Sequence, residues 1–245
     1  MSLTENNQQP ASGSKGRFLY LFVCQVAFLV LFPYFDRPGL SMVFFRLFGA
    51  AAFFSGVYAV SERRAQWITA LLLAIPASLL NALFALRPDQ RLTIPTLIFT
   101  MLFVVFTAVF LLRAVLRSGD VTYDTICGSL SVYLLMAMAW GVAYLLLSSV
   151  QPGAFFMDIA RHPSRSLDWT DCMFYSFVTL TTVGYGDIVP ISAQARSLSI
   201  LEAVSGTMYV AVLIARLVGL HAATKSRSST EPSPSFSSAH NGRTL

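Results

Sequence analysis

The sequence predicts an all-α membrane protein, and three observations predict it. The 245 residues are 55% hydrophobic and 12% charged, with a mean hydropathy of +0.63, whereas a soluble globular domain carries about 25% charged residues. Six apolar stretches have the length, about 20 residues, that a helix needs to cross ~30 Å of hydrocarbon. Between the fifth and sixth lies a shorter apolar piece that ends in a glycine-rich loop. It cannot cross, so it must enter and leave on one side, surrounded by protein or water.

The first 17 residues are polar and open no signal-peptide pattern. They are expected to be disordered, and the apolar segment after them to be retained. The first span, 18–35, contains no charge and closes at the turn signal Asp36-Arg37-Pro38-Gly39. The second, 41–60, is interrupted only by Arg46, which is expected to snorkel or fill a water crevice, and a polar hinge at Glu62-Arg63-Arg64 follows. The third, 65–86, stops at Arg87-Pro88-Asp89, and the fourth, 92–112, has Pro95 near its start. A short basic segment, 113–124, is expected on the inner membrane surface, linking this four-helix unit (18–117) to the next domain (118–221). That domain holds the fifth span, 125–150, a mixed outer loop, 151–167, and the sixth span, 196–220.

Directly after the outer loop Asp168 is the expected N-cap, its carboxylate accepting a backbone N–H of the next turn. A short helix, 169–180, follows, then Thr181-Thr182-Val183-Gly184-Tyr185-Gly186-Asp187 and the extended exit Ile188-Val189-Pro190. The tail, 222–245, is rich in Ser, Thr and Pro and reads as disordered, too short for a soluble ligand-binding domain. An even number of spans puts both termini on one side. Nine basic residues fall on that side (Lys15, Arg17, Arg63, Arg64, Arg113, Arg117, Lys225, Arg227 and Arg243) against six on the other (Arg37, Arg87, Arg91, Arg161, Arg165 and Arg196), a weak positive-inside bias that makes it the expected inner side.

The seven-residue loop carries the chemistry. A cation crossing a membrane must exchange its water shell for other oxygens. Backbone C=O groups of Thr182, Val183, Gly184 and Tyr185 can line one strand, with the Thr182 hydroxyl adding an oxygen at the inner end. Stacking carbonyls on one side forces alternate residues into left-handed conformations, which Gly184 and Gly186 accept cheaply. One strand cannot surround an ion. With one such word per chain, four copies around an axis are required.

The run from Asp168-Trp169 to Pro190, with the sixth helix, resembles the pore module of tetrameric potassium channels, most of all small bacterial six-helix channels without a cytoplasmic domain. The resemblance is strong over about 125–220. Over 18–112 it rests on the helix count alone, which is that of a sensor-like domain. It implies a two-helix pore module with a re-entrant pore helix (169–180) and a K⁺ filter (182–186), assembled as a homotetramer in the plasma membrane, a bacterial inner membrane, with both termini cytoplasmic. K⁺, held by Thr182, Val183, Gly184 and Tyr185, is then the permeant ion, and no organic cofactor, nucleic acid or soluble ligand domain is expected.

The same resemblance assigns support of the filter to Gly186, Asp187, Trp169, Tyr175 and Val178. Tyr185 should turn away from the pore onto Phe174, Tyr175 or Phe177. Asp187 should bond behind the filter, and Val178 stands where some relatives carry a Glu. The short helix runs inward, so its negative dipole end favours a cation in a central cavity. Gly206 stands where relatives place a hinge, or it is a packing glycine against the short helix. Helical spacing from Gly206 puts Thr207, Val210, Ile214 and Val218 near one face, toward the inner pathway and gate. Glu202, ionisable inside a span, is a functional candidate by default: it either braces the filter support or faces the cavity. Arg216 is expected to snorkel or pair at the inner end.

Voltage sensing needs several Arg residues along the fourth helix. Residues 92–112 contain none, so at most weak voltage dependence is expected. The intact Thr182-Val183 pair favours K⁺ over a non-selective cation pathway. A single intact word argues against an ion-coupled transporter subunit. An enzyme is not expected: there is no nucleophile–His–acid set, and His162, His221 and His240 fall in loops or tail. Cys24, Cys127 and Cys172 are odd in number and fit no metal spacing, so they read as small core residues.

Overall fold

The computed structural model describes residues 16–35, 64–86, 90–118, 122–157 and 167–230. The chain order is α1 (Arg17–Phe35), α2 (Arg64–Leu86), α3 (Gln90–Arg117), α4 (Tyr123–Val150), β1 (Phe155–Met157), α5 (Trp169–Leu180), β2 (Ile188–Pro190) and α6 (Ala193–Thr230). Among the described residues, three stretches are long and apolar enough to cross a membrane: Arg91–Arg117, Tyr123–Val150 and Ala193–Gly219. The apolar parts of α1 and α2, Phe18–Leu31 and Ile68–Leu83, are shorter. The chain is therefore a mostly helical, multi-pass membrane protein. The expected second span at 41–60, with Arg46, the turns at 36–39 and 87–89, and residues 158–166 lie outside the described residues.

Two boundaries differ from the sequence expectation. The basic segment after residue 112 does not break away onto the membrane surface as far as Arg117, because α3 runs through it. Ala114, Val115 and Leu116 continue the helix, Leu111 and Val115 are buried, and Arg113 and Arg117 suit the negative end of the dipole. The last helix also passes residue 221 and reaches Thr230. Ala222, Ala223 and Lys225 are good helix formers, and the first proline that would stop it is Pro232.

Helix α4 is the centre of the molecule. Its Gly128, Ser129, Ser131, Ala137, Ala139 and Gly141 are all buried, and such small side chains let neighbouring helices approach closely in a membrane. Val132, Leu135 and Ala139 of α4 form one core with Leu21 of α1, Ala70 and Ala74 of α2, and Phe103, Val104 and Leu111 of α3. Thr122 caps the start of α4, accepting from Thr125 N. Asp124, in the first turn of α4, accepts from Leu19 N at 3.1 Å and so closes the start of α1 as well. Asn81 of α2 donates to Thr100 Oγ1 of α3 at 3.2 Å, one of the polar contacts that hold membrane helices in register.

β1 and β2 pair antiparallel, with Phe156 opposite Val189. Ala154 O accepts from both Ile191 N and Ser192 N. The exit of the loop 181–187 is thereby strapped to the chain leaving α4. Helix α6 differs from its neighbours: 11% of its span is buried, against 39% for the spans in α3 and α4.

Candidate functional site

The site begins with α5. Asp168 Oδ1 accepts from Asp171 N at 2.8 Å, and Asp171 Oδ2 accepts from Asp168 N at 3.3 Å. This reciprocal capping box satisfies donors that a helix start leaves open. The far end is satisfied just as fully. A helix leaves its last four carbonyls without intrahelical partners, and here every one is taken. Phe177 O accepts from Thr181 N, Val178 O from Val183 N and Gly184 N, Thr179 O from Thr182 N, and Leu180 O from the Tyr133 hydroxyl of α4.

Those bonds orient the loop. The amides of Thr182, Val183 and Gly184 all turn toward α5, at 3.0, 2.9 and 3.4 Å. In a trans peptide the preceding carbonyl points opposite to the N–H, and no cis bond is found among the described residues. The carbonyls of Thr181, Thr182 and Val183 therefore face away from α5, toward the open side.

Backbone handedness alternates. Thr182, Gly184 and Gly186 have φ of +60°, +59° and +80°, while Val183 and Tyr185 between them do not. At the two glycines this costs little, and a Cβ built on either would meet nothing within 4 Å. Conformation, not crowding, requires glycine there. For Thr182 the same conformation is an outlier, costing roughly 1–2 kcal/mol in a β-branched residue. Such strain persists where the surroundings over-determine it, commonly at functional sites.

Residues 181–186 are all exposed, Val183 at 53% and Tyr185 at 68%. The chain itself covers only the helix side of the loop. Tyr185 turns back onto Phe174, the rings parallel within 5° and 6.0 Å apart. Of its three expected partners, Tyr175 and Phe177 lie elsewhere. Tyr175 is buried behind α5, edge-on to Tyr144 at 4.9 Å and Phe155 at 5.4 Å, with its hydroxyl 2.6 Å from Ser199 Oγ. Phe177 lines a small apolar cavity with Gln25 and Phe28 of α1. Trp169 packs near Leu97, Val142 and Met173, about 18 Å along α5 from the loop at 1.5 Å per residue. Its expected place beside the filter is thus a place at the helix start. Asp187 Oδ1 accepts from Ile188 N at 3.0 Å. Val178 contributes through its carbonyl, not its side chain.

Glu202 is fully buried. Its Oε2 accepts from the Tyr144 hydroxyl of α4 at 2.5 Å, and its Oε1 lies 2.5 Å from Ser176 Oγ of α5. Both carboxyl oxygens are thus engaged by α4 and α5. Gly206 is buried against the end of α5: a Cβ there would lie 2.7 Å from both Leu180 Cδ1 and Leu180 O. Thr207, Val210, Ile214 and Val218 share a face that one chain leaves exposed. Farther along α6, Arg216 Nη2 donates to Leu116 O at 2.9 Å and Ser118 O at 2.7 Å, closing the C-terminus of α3 with a positive charge.

The residues that sequence reasoning missed are Tyr133, Tyr144 and Ser176, and at Thr182, which it named, it missed the left-handed backbone. The first three are polar groups at membrane depth, and such groups must find partners there. That rule could have nominated them as company for Glu202, though not which contact which.

A family model described as "Ion channel" matches residues 132–221, from within α4 through most of α6. Two-pore potassium channel 4 of Arabidopsis thaliana is 33% identical over 94 residues, 38% of this chain and 32% of that protein. The voltage-gated potassium channel Kch of Escherichia coli (strain K12) is 31% identical over 125 residues, 51% of this chain and 28% of that protein. The potassium channel protein kcv of Paramecium bursaria Chlorella virus 1 is 30% identical over 63 residues, 25% of this chain and 67% of that protein. The chain thus spans about a third of the first two relatives and two thirds of the third.

Proposed function

Because the chain belongs to the potassium-channel family of ion channels, we propose that it conducts K⁺ passively and selectively through a central pore built by four copies. The observation that carries this reading is the loop 181–187. Its amides are tied back onto α5, its backbone alternates in hand, and its open side has no partner in one chain. A queue of carbonyls on one strand gives an ion oxygens on one side only, and four strands close the shell. The Thr182 hydroxyl and the carbonyls of Thr182, Val183, Gly184 and Tyr185 are the proposed K⁺ ligands. Gly186, Asp187, Tyr185 on Phe174, and the Val178 carbonyl hold them in place.

In this reading α4, α5 and α6 with the loop are the pore module, and 18–117 is a four-helix unit packed against it. Thr207, Val210, Ile214 and Val218 line the inner pathway, with Val218 forming an apolar constriction. Helix α3 carries no charge between Arg91 and Arg113, which supports weak or no voltage dependence. The membrane is a plasma membrane with both termini on the cytoplasmic side.

The test is reversal potential in liposomes holding purified protein under mixed K⁺ and Na⁺. K⁺ should dominate, and Gly184→Asp should abolish the flux, because an L-residue with a charged side chain replaces a left-handed glycine. Equal K⁺ and Na⁺ permeability would remove the selective reading in favour of a non-selective cation channel.

A further inference from the structure

We propose that Glu202 stands in the membrane as the neutral carboxylic acid and, in that form, is the positioning residue that fastens α5 to α4 and α6. Four short oxygen–oxygen contacts link these helices, and a fifth, from Ser199 to Ala195 O, lies within α6. Tyr144 to Glu202 Oε2 is 2.5 Å, Ser176 to Glu202 Oε1 2.5 Å, Ser176 to Ala137 O 2.7 Å, Tyr175 to Ser199 2.6 Å, and Ser199 to Ala195 O 2.8 Å. Each hydrogen bond of this length needs one proton between its oxygens.

Backbone carbonyls have no proton to give. Ser176 therefore donates to Ala137, and Ser199 to Ala195. Each hydroxyl carries one proton, so Tyr175 donates to Ser199 and Tyr144 to Glu202 Oε2. Four hydroxyls are then spent on four contacts. The contact between Ser176 and Glu202 Oε1 is left without a proton unless Glu202 supplies it. A carboxylate there would set two oxygen lone pairs against each other at hydrogen-bond distance. A carboxylic acid closes the network, with its carbonyl oxygen accepting from Tyr144 and its hydroxyl donating to Ser176.

The surroundings agree. Glu202 is fully buried, and an unpaired buried charge is costly. The titratable groups that face it are tyrosines: Tyr133 and Tyr144 from α4, and Tyr175 from α5. Its hydrogen-bond partners include no Lys, Arg or His. Ser176 lies in the middle of α5, whose last carbonyls hold the loop. The acid thus ties the centre of the pore helix to the helices on either side of it.

Glutamine offers the same pattern, one acceptor and one donor, so Glu202→Gln is a close mimic of the acid but not of a carboxylate. Infrared spectroscopy of the purified full-length chain in lipid near neutral pH reads the group directly. The wild type should show a protonated-carboxyl C=O band that Glu202→Gln removes. Tyr144→Phe should shift that band, because it deletes the donor to the same oxygen. A Glu202-dependent carboxylate band in place of the protonated one overturns the proposal. Should Glu202→Gln fail to assemble, an unshifted spectrum in Tyr144→Phe overturns it equally. In flux, Glu202→Gln should stay close to wild type and keep the wild-type pH profile. Glu202→Leu should lose about tenfold or more, as buried hydroxyls are left unpaired. The infrared band does not depend on conduction, so a protein that passed no K⁺ would refute the channel reading and leave this one standing.

Discussion

Gly206→Ala discriminates between two roles for this glycine. The added Cβ would lie 2.7 Å from Leu180 Cδ1, 2.7 Å from Leu180 O and 3.0 Å from Leu180 Cγ, where ordinary contact begins at 3.4 Å. The side-chain atoms can rotate aside. The carbonyl cannot, because it belongs to the end of α5 and accepts from Tyr133 at 3.2 Å. Helices α5 and α6 must therefore separate by several tenths of an ångström, carrying the Val178 and Thr179 carbonyls that hold the loop. Replacing a helix glycine by alanine gains about 1 kcal/mol in propensity, whereas overpacking costs about 1–3 kcal/mol. The net expectation is a loss of up to about 2 kcal/mol per chain, felt by every copy in an assembly. Two readings of purified protein check it: the temperature at which the assembly dissociates, and the K⁺ to Na⁺ permeability ratio in liposomes. Both should fall, and Leu180→Ala added to Gly206→Ala should restore part of the stability, since it removes the side-chain clash and leaves the carbonyl. Unchanged or higher stability with intact selectivity and altered open times would refute the packing argument and favour a pure hinge.

Three further outcomes are expected. Asp168→Ala removes the side-chain half of the capping box, the bond from Asp171 N to Asp168 Oδ1, and should lower stability by about 1 kcal/mol per chain, whereas Asp168→Ser, which still caps, should lose much less; thermal dissociation of the pair of variants reads the difference. Arg216→Gln weakens the two bonds that close α3 and should cost roughly 1 kcal/mol, while Arg216→Lys recovers only part, as a point charge without the guanidinium fork; comparing open probability across the three proteins shows whether the inner ends of α3 and α6 are coupled. Val189→Tyr should tighten block by external tetraethylammonium through cation–π contact, because Val189 is half exposed on the strand just past the loop 181–187; an unchanged block in concentration–response measurements would refute the proposed outer mouth.

Much of this site was legible in local sequence. Asp168 as a cap, the short helix from Trp169 to Leu180, and the left-handed Gly184 and Gly186 each follow from chemistry within a few residues, and the structure places them so. The extended exit at Ile188–Pro190 was legible too, but not its partner β1, because strand pairing depends on a segment far along the chain. The partners of Glu202 lie 58 and 26 residues away, and those of Arg216 about 100. Periodicity says which face of a helix is apolar, not which polar atom on another helix it will meet. Tyr175 was misassigned for the same reason. Aromatic residues on one short helix are interchangeable by composition, and only packing sends Phe174 to the loop and Tyr175 behind the helix. The ends of α3 and α6 were misjudged because basic and small polar residues were read as interface or tail, although nothing in them prevents a helix from continuing.

The central claim is that the exposed side of residues 181–186 is closed by three further copies of the same chain around one axis. Native mass spectrometry of the full-length protein released from lipid measures this directly. The account predicts a dominant species at four times the 26.9 kDa chain mass. A stable, conducting monomer or dimer would contradict it.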